Sequence, residues 1–261
     1  MKKKKISIIL PNLGGGGAEK NYLMLANKWV QNDFKVEFVL LQKEGIFLKH
    51  LNKSIKIYNL NVKKYRYSFL PILKFLLFNK SDLIIVNLWP LTSITLLLNL
   101  LLFKRNKIVI HDHQILSKSY TSNDNKSIWY LSISIKLTYF LSNGIIAVSN
   151  AVKNDLINLG CDIKKITVIY NPISLSQLNK KINVDHFWGQ NSKYRILTIG
   201  SLKYEKDFIL VSLCHSIILP MLCQLQMPNL PALHFQFVYI ERSVSHKTPM
   251  YLERFGFWHT P

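Results

Sequence analysis

Acidic residues are scarce in this chain of 261 residues: 14 Asp and Glu stand against 34 Lys and Arg, a formal net charge of +20. Such an excess favours anionic partners, whether nucleic acid, lipid headgroups or phosphorylated substrates. Cysteine is scarcer still. Cys161, Cys214 and Cys223 form no CxxC pair and no Cys/His ligand spacing, which argues against a structural zinc site and suits a reducing cytosol. Long hydrophobic runs are also missing. The greasiest stretch, "LTSITLLLNLLLF" (Leu91–Phe103), is interrupted by Asn99 and closed by Lys104 and Arg105. It is shorter than the roughly 20 residues a spanning helix needs. The N-terminal "MKKKKISIILPNL" begins like a signal peptide, but its apolar run stops at Pro11 and the glycines, too soon for a signal core. It reads as a first buried strand, and no transmembrane segment is expected.

The remaining composition is that of a folded protein. With 49% apolar residues the chain can bury a sizeable core. Short apolar runs at Ile6–Leu10, Val36–Leu41, Ile55–Leu60, Leu83–Asn87, Lys107–Ile110, Gly144–Val148 and Ile166–Ile169 read as strands. Between them, Ala18–Gln31, Phe69–Phe78, Leu91–Phe103, Ser127–Leu141 and Asn150–Leu159 read as helices. Strands without clean alternation, spaced by helices, predict a mostly parallel sheet in a doubly wound, Rossmann-like α/β domain over residues 1–175.

Asn171-Pro172 ends that rhythm, and residues 176–193 read as a polar linker. A new strand, "YRILTIG", opens what looks like a second α/β domain over 194–208. From Ile209 the composition changes. Residues 209–261 hold five charged residues and five of the nine prolines, and no helical or strand period persists long enough to rebuild a domain. One reading is a divergent, loop-rich end; the favoured one is that the in-frame sequence stops near Phe208, leaving the second domain incomplete.

Four features carry candidate chemistry. Gly14, Gly15, Gly16 and Gly17 lie between the first strand and first helix, where backbone N–H groups and a helix N-terminus can meet a phosphate. No Gly-Lys-Ser/Thr follows, and position 19 is Glu, so neither a Walker loop nor the dinucleotide GxGxxG register fits. Tight packing alone is the competing reading of these glycines. His111 and His113 in "IVIHDHQ" are expected just past the carboxyl end of a strand, the edge where open α/β sheets bind ligands. A single imidazole bonding a substrate fits them better than a metal, since no third ligand is near; a surface histidine without a role is the alternative. Ser149 is placed to cap the helix after "GIIAVS" and to face the same crevice. Finally, "KKYRYSFLPILKFLLF" (Lys63–Phe78) reads either as a membrane-interface segment or as a core helix with a basic outer face.

In this order, "LPNLGGGGAEKNYLMLANKW", the histidine after the fifth strand, "GIIAVSNAVKNDLINLGCDIKKITVIYNPIS" and "ILTIGSLKYEKDF" resemble the bacterial glycosyltransferase family 4 enzymes over roughly residues 5–208. The resemblance implies the GT-B architecture, two Rossmann-like domains facing a cleft. It implies transfer of a sugar, with retention, from a nucleotide-sugar (UDP-linked) to a cell-surface polysaccharide, lipopolysaccharide or lipid-linked acceptor. No metal or other cofactor is implied. On that pattern Gly14–Gly17 would approach the donor diphosphate or the acceptor, and His111, rather than His113, would contact the transferred sugar. Ser149 would line the cleft, and Lys206 would bind the diphosphate. Two departures stand out: Ser201 replaces an arginine common in the family, and the family's pair of glutamates in the second domain has no match, since Glu241 and Glu253 are wrongly spaced. A cytoplasmic enzyme, peripheral at an anionic inner leaflet and incomplete in its donor half, is therefore expected. The alternative is a non-catalytic remnant that binds membrane or polyanions. Nucleic acid is not expected as a partner, since no helix-turn-helix or aromatic-plus-basic binding surface is evident.

Overall fold

The computed structural model describes residues 3–120 and 125–172, together with three strands farther along, at 194–200, 235–241 and 252–253. The chain divides into two compact units, Met1–Ile173 and Ser174–Pro261.

In the first unit, β1 (Lys5–Leu10), β2 (Lys35–Leu40), β3 (Lys56–Asn59), β4 (Leu83–Val86), β5 (Ile108–Asp112), β6 (Gly144–Ala147) and β7 (Ile166–Val168) form one sheet. Every pairing is parallel, and the order is β3-β2-β1-β4-β5-β6-β7. The physical cause is visible in the strands. KISIIL and KVEFVL are buried along nearly their whole length, so both faces must be covered, which hairpin connections cannot do. The covering helices are α1 (Gly17–Gln31), α2 (Phe69–Phe78), α3 (Leu91–Leu101), α4 (Leu116–Ser119), α5 (Asn125–Thr138) and α6 (Asn150–Asn158). On one face Tyr22 and Ala26 of α1 pack with Ile8, Leu10, Phe38 and Leu40. On the other, apolar residues of α2, α3, α5 and α6 share a core with Ile84, Ile108, Ile110 and Ile145. The direction of winding reverses between β1 and β4, and the crevice at their carboxyl ends is where this architecture places ligands.

The doubly wound α/β expectation holds, and each expected strand and helix of the first unit is present, with one boundary that matters. β5 runs two residues beyond the expected end at Ile110, because His111 and Asp112 continue the ladder opposite Ile146 and Ala147. His111 thus lies inside the strand, and only His113 lies past it. The longest apolar stretch forms an 11-residue helix, and among the described residues no helix is long and apolar enough to cross a membrane. In the Lys63–Phe78 stretch, α2 buries Ile72, Phe75 and Leu76 but leaves Phe69, Leu70 and Phe78 exposed, so it is a core helix with an apolar outer surface.

In the second unit, β8 (Tyr194–Gly200) is the expected strand. It pairs in parallel with β9 (Phe235–Glu241), which pairs antiparallel with β10 (Leu252–Glu253). β9 and β10 fall in the 209–261 stretch; FQFVYIE is rich in the aromatic and β-branched residues that suit a pleated surface. The linker 176–193 lies outside the described residues.

Candidate functional site

The glycine loop leaves β1 at Leu10 and is fixed from outside itself. The Leu13 side chain is fully buried, its N–H donates to the Glu44 carbonyl at 2.9 Å, and its carbonyl accepts from the Phe47 N–H at 3.3 Å. Gly45 makes this close approach feasible: its φ is +123°, and a Cβ there would overlap the Leu13 carbonyl. Within the loop, Gly14 donates its N–H to Asn12 Oδ1 at 3.0 Å, and Gly15 turns the chain at φ +136°. A Cβ on Gly16 would meet the Glu19 carboxylate, whereas one on Gly17 would meet nothing within 4 Å. Packing and backbone geometry therefore account for Gly15 and Gly45 but not for Gly17. Gly16 is the N-cap of α1 and no side chain caps the helix, so its first turn opens at the carboxyl edge with the positive end of the helix dipole.

His111 stands beside this turn through α1. Strand alternation aims it at the α1 face, where it is buried and Tyr22 Oη lies 2.8 Å from its Nδ1. His113 projects to the same side, its ring centroid 4.1 Å from that of His111 and 5.7 Å from that of Tyr22. Burial lowers the pKa of His111 to about 4; burial and the neighbouring His111 lower that of His113 to about 3. Burial raises the Tyr22 hydroxyl well above its usual value. At neutral pH all three groups are uncharged. The His111 tautomer decides which of the two groups donates in that bond, and the ring nitrogen outside it is Nε2. That atom is buried without a protein partner, as are both ring nitrogens of His113. Buried imidazole nitrogens rarely stay unpaired, and a ligand hydroxyl is the kind of group that would satisfy them.

Asp112 faces the other way and serves the scaffold. It is buried, bonded by the Tyr139 hydroxyl, which in turn lies 3.1 Å from Thr92 Oγ1. Burial, opposed by the Tyr139 bond and assisted by the Asp155 charge, raises its pKa to about 7. Asp155 on α6 ties down the segment after β5: Ser117 donates both its hydroxyl and its N–H to that carboxylate. Ser149 caps α6, accepting the Val152 N–H at 3.2 Å. That confirms its capping role.

The carboxyl end of β4 adds a wall that the sequence did not single out. Asn87 is fully buried with Nδ2 unpaired, while its Oδ1 accepts the Leu88 N–H. Trp89 packs edge-on against Tyr120 at 4.9 Å, Tyr120 Oη donates to the Trp89 carbonyl at 2.7 Å, and Trp89 Nε1 donates to Ser134. Aromatic faces with polar rims of this kind suit the apolar faces and hydroxyl edges of a sugar.

Of the expected site residues, His111 and His113 meet at one point, joined to the glycine loop through Tyr22 on α1. Ser149 follows the adjacent β6 at the same sheet edge. Lys206 and Ser201 lie outside the described residues. Tyr22, Asn87, Trp89, Tyr120 and Gly45 were missed. Tyr22 had a signal: it is the residue on α1 whose helical phase, with Ala26, faces the sheet. The role of Gly45 has no local signal, since its constraint comes from a backbone 32 positions away.

The sequence profile of Glycosyltransferase Family 4 matches residues 15–177. No curated protein matches the sequence significantly. Among solved structures, Anabaena HepE in complex with UDP-glucose aligns with a TM-score of 0.59 at 16% identity, over 92% of this chain and 70% of that one. Sucrose-phosphate synthase from Thermosynechococcus elongatus aligns at 0.58 and 11% identity, over 93% and 64%. A glycosyltransferase from Rickettsia africae aligns at 0.55 and 18% identity, over 92% and 61%. The chain thus spans about two thirds of the length of these proteins, and their likeness is one of fold, the Rossmann-like half found in GT-B glycosyltransferases. With the family profile covering more than half of the sequence, the chain belongs to Glycosyltransferase Family 4.

Proposed function

We propose that this chain serves the transfer of a sugar from a UDP-linked donor, with retention of configuration, to a cell-surface polysaccharide or lipid-linked acceptor on the cytosolic side of a membrane. The observation that carries the reading is the buried, unpartnered Nε2 of His111 at the carboxyl edge of β5, in a chain of this family. Anabaena HepE, of similar fold, is described with UDP and with UDP-glucose, which supports the choice of donor. In the transfer, the bond from the sugar C1 to the diphosphate breaks, a bond from an acceptor oxygen to C1 forms on the same face, and the acceptor proton leaves with the diphosphate.

Each group has a task its chemistry permits. His111, neutral with Nε2–H outward, donates to a sugar hydroxyl and orients it. The open N-terminus of α1 at Gly16 and Gly17 favours negative charge on the phosphate or on an acceptor. Trp89 and Tyr120 offer a surface for the acceptor sugar. Lys206, by family pattern, would meet the diphosphate. The domain reading accompanies this proposal: residues 1–175 form the acceptor-side domain, and 194–208 begin the donor-side one.

The purified chain, incubated with UDP-glucose, is expected to release UDP, and His111→Ala to lower that release by at least tenfold with its thermal midpoint shifted only modestly. A flat thermal titration with UDP-sugars together with no UDP release would reject the reading for this chain.

A further inference from the structure

We propose that a groove at the amino edge of the sheet, on the face that α1 covers, binds a soluble organic phosphate, a phosphate group carried on an apolar body. The candidate transfer site lies at the carboxyl edge of the same strands, so this groove is separate from it and does not rest on the transfer reading. The groove offers about 500 Å³ of space, a size typical of small-molecule sites. Its floor is apolar: Ile6, Phe34 and Leu83 all belong to the core on the α1 side, and Ile6 pairs with Leu83 across β1 and β4. Three cations, Lys4, Arg105 and Lys107, line its rim.

The backbone under each cation is fixed. Lys4 precedes β1, and its carbonyl accepts the Lys35 N–H at 2.9 Å; Lys107 precedes β5, and its carbonyl accepts the Ile84 N–H at 2.9 Å. Ile108 belongs to the core on the opposite face, so strand alternation turns Lys107 toward the α1 side. Since β4 lies between β1 and β5, the two lysines stand two strand spacings apart, roughly 10 Å, across the sheet. Arg105 is mounted by the turn after α3. There Phe103 and Lys104 adopt left-handed backbone, φ +53° and +55°, a conformation that bulky residues seldom take. A buried clasp holds that turn: Asn99 Nδ2 donates to the Asn106 carbonyl, and the Asn106 N–H donates to Asn99 Oδ1.

Charge identifies the occupant. Among the described residues neither Lys4, Arg105 nor Lys107 forms an ion pair. The acids nearby are engaged elsewhere. Asp82, the one acid in the lining, accepts the Lys5 N–H at 2.7 Å through Oδ2, and Asp33, next to Phe34, pairs with Lys3. Three like charges facing one recess repel each other, and a bound dianion relieves that repulsion. A phosphate group supplies the dianion and accepts charge-assisted hydrogen bonds from the lysines and the guanidinium. An apolar body beside it covers Ile6, Phe34 and Leu83. A lipid headgroup shares the phosphate, but a recess floored by the edge of the sheet fits a free molecule.

Isothermal titration calorimetry of the full chain at low salt, with 1-naphthyl phosphate and with inorganic phosphate, tests this. The aromatic phosphate is expected to bind about fivefold more tightly than the inorganic one, because only it covers the apolar floor. Arg105→Glu/Lys107→Glu, both at exposed positions, should weaken 1-naphthyl phosphate binding about tenfold at unchanged circular dichroism. Lys49→Glu/Lys53→Glu, an equal charge change beside β3, should have little effect. Gly17→Ala, which alters the transfer site, should leave this binding as it is, so the two readings fail separately. Equal affinity for the two phosphates, equal loss in the Lys49/Lys53 control, full binding by Arg105→Glu/Lys107→Glu, or loss in Gly17→Ala would overturn the proposal. So would displacement of 1-naphthyl phosphate by phosphatidylglycerol vesicles, which would assign the groove to a lipid headgroup.

Discussion

Tyr22→Phe removes one oxygen from the interior and tests how His111 is held. In the native protein Tyr22 Oη lies 2.8 Å from His111 Nδ1, with both side chains buried. Deleting the hydroxyl keeps the ring in place and leaves Nδ1 as a second unpaired nitrogen on an imidazole whose Nε2 is already unpaired. A net hydrogen bond contributes about 1 kcal/mol, and an orphaned buried partner costs about 1–3 kcal/mol. The expected loss is therefore about 2 kcal/mol, which for a unit of this size lowers the thermal midpoint by about 4–8 °C. His111→Ala should cost a similar amount. The diagnostic quantity is the coupling: if the two groups act on each other, Tyr22→Phe in the His111→Ala background should cost about 1–2 kcal/mol less than in the native background. Urea unfolding of the four proteins followed by circular dichroism gives this cycle directly. Nitrogen NMR of labelled histidine should in parallel show the Nε2–H form of His111 giving way to a tautomer mixture in Tyr22→Phe. Costs that add to within about 0.5 kcal/mol would refute the pairing and the fixed tautomer with it.

The remaining predictions concern pH and the two loops. His111 and His113 have folded pKa values near 4 and 3, below the usual histidine value of about 6.5, so both withdraw stability as pH falls from about 6.5 toward 4. Asp112 has a folded value near 7, above the usual value of about 3.9, so its contribution is complete below about pH 4 and is lost as pH rises through 7. Asp112→Asn keeps an acceptor for Tyr139 and removes that opposing trend; in urea titrations from pH 4.5 to 6.5 its stability should fall more steeply on acidification than that of the native chain, by about 1 kcal/mol per pH unit. An unchanged slope would show that Asp112 is ionised in the fold. Gly45→Ala, which places a Cβ on the Leu13 carbonyl at a left-handed φ, should destabilise by about 3 kcal/mol or prevent folding, read as the loss of a cooperative thermal transition. Gly17→Ala has room for its methyl and should match or slightly exceed native stability, while weakening UDP-glucose binding in calorimetry. Glu19→Gln, which removes a negative charge beside the N-terminus of α1, should strengthen UDP binding about threefold.

The pattern of elements was legible because it follows from burial. A strand covered on both faces reads as a near-continuous apolar run, as β1, β2 and β4 do, and such runs separated by helical segments leave few architectures open. The end of β5 was not legible, because His-Asp-His is a polar triplet and reads as the start of a loop. Tertiary context reverses that reading: Asp112 finds Tyr139 on one face, His111 finds Tyr22 on the other, and the ladder continues. The histidines were singled out from residue type and sheet edge, but the Tyr22 hydroxyl that bonds His111 sits 89 positions away and could not be assigned from either. Trp89 and Tyr120 were invisible for a similar reason. Aromatic residues in a chain with 12% of them carry no positional mark until the fold brings two together.

The electrostatics of the site also limit the chemistry it can perform. A histidine with a pKa near 4 is a poor general acid at neutral pH because almost none of it is protonated. Its value lies in the opposite property: a neutral imidazole donates one directed hydrogen bond without attracting a counter-ion or water shell. The alternation of β5 separates the two tasks that its polar triplet performs. His111 and His113 present neutral hydrogen-bonding groups on the α1 face, where the glycine turn supplies a positive helix end. Asp112, on the opposite face, joins Tyr139 and Thr92 in a network that fixes the strand. A charged group at either histidine position would pull water into the crevice and weaken the field of the helix terminus. On the proposed reading the depressed histidine pKa values suit the site: backbone dipoles would serve a phosphate and the neutral imidazoles a sugar hydroxyl, with both groups beside one helix, α1.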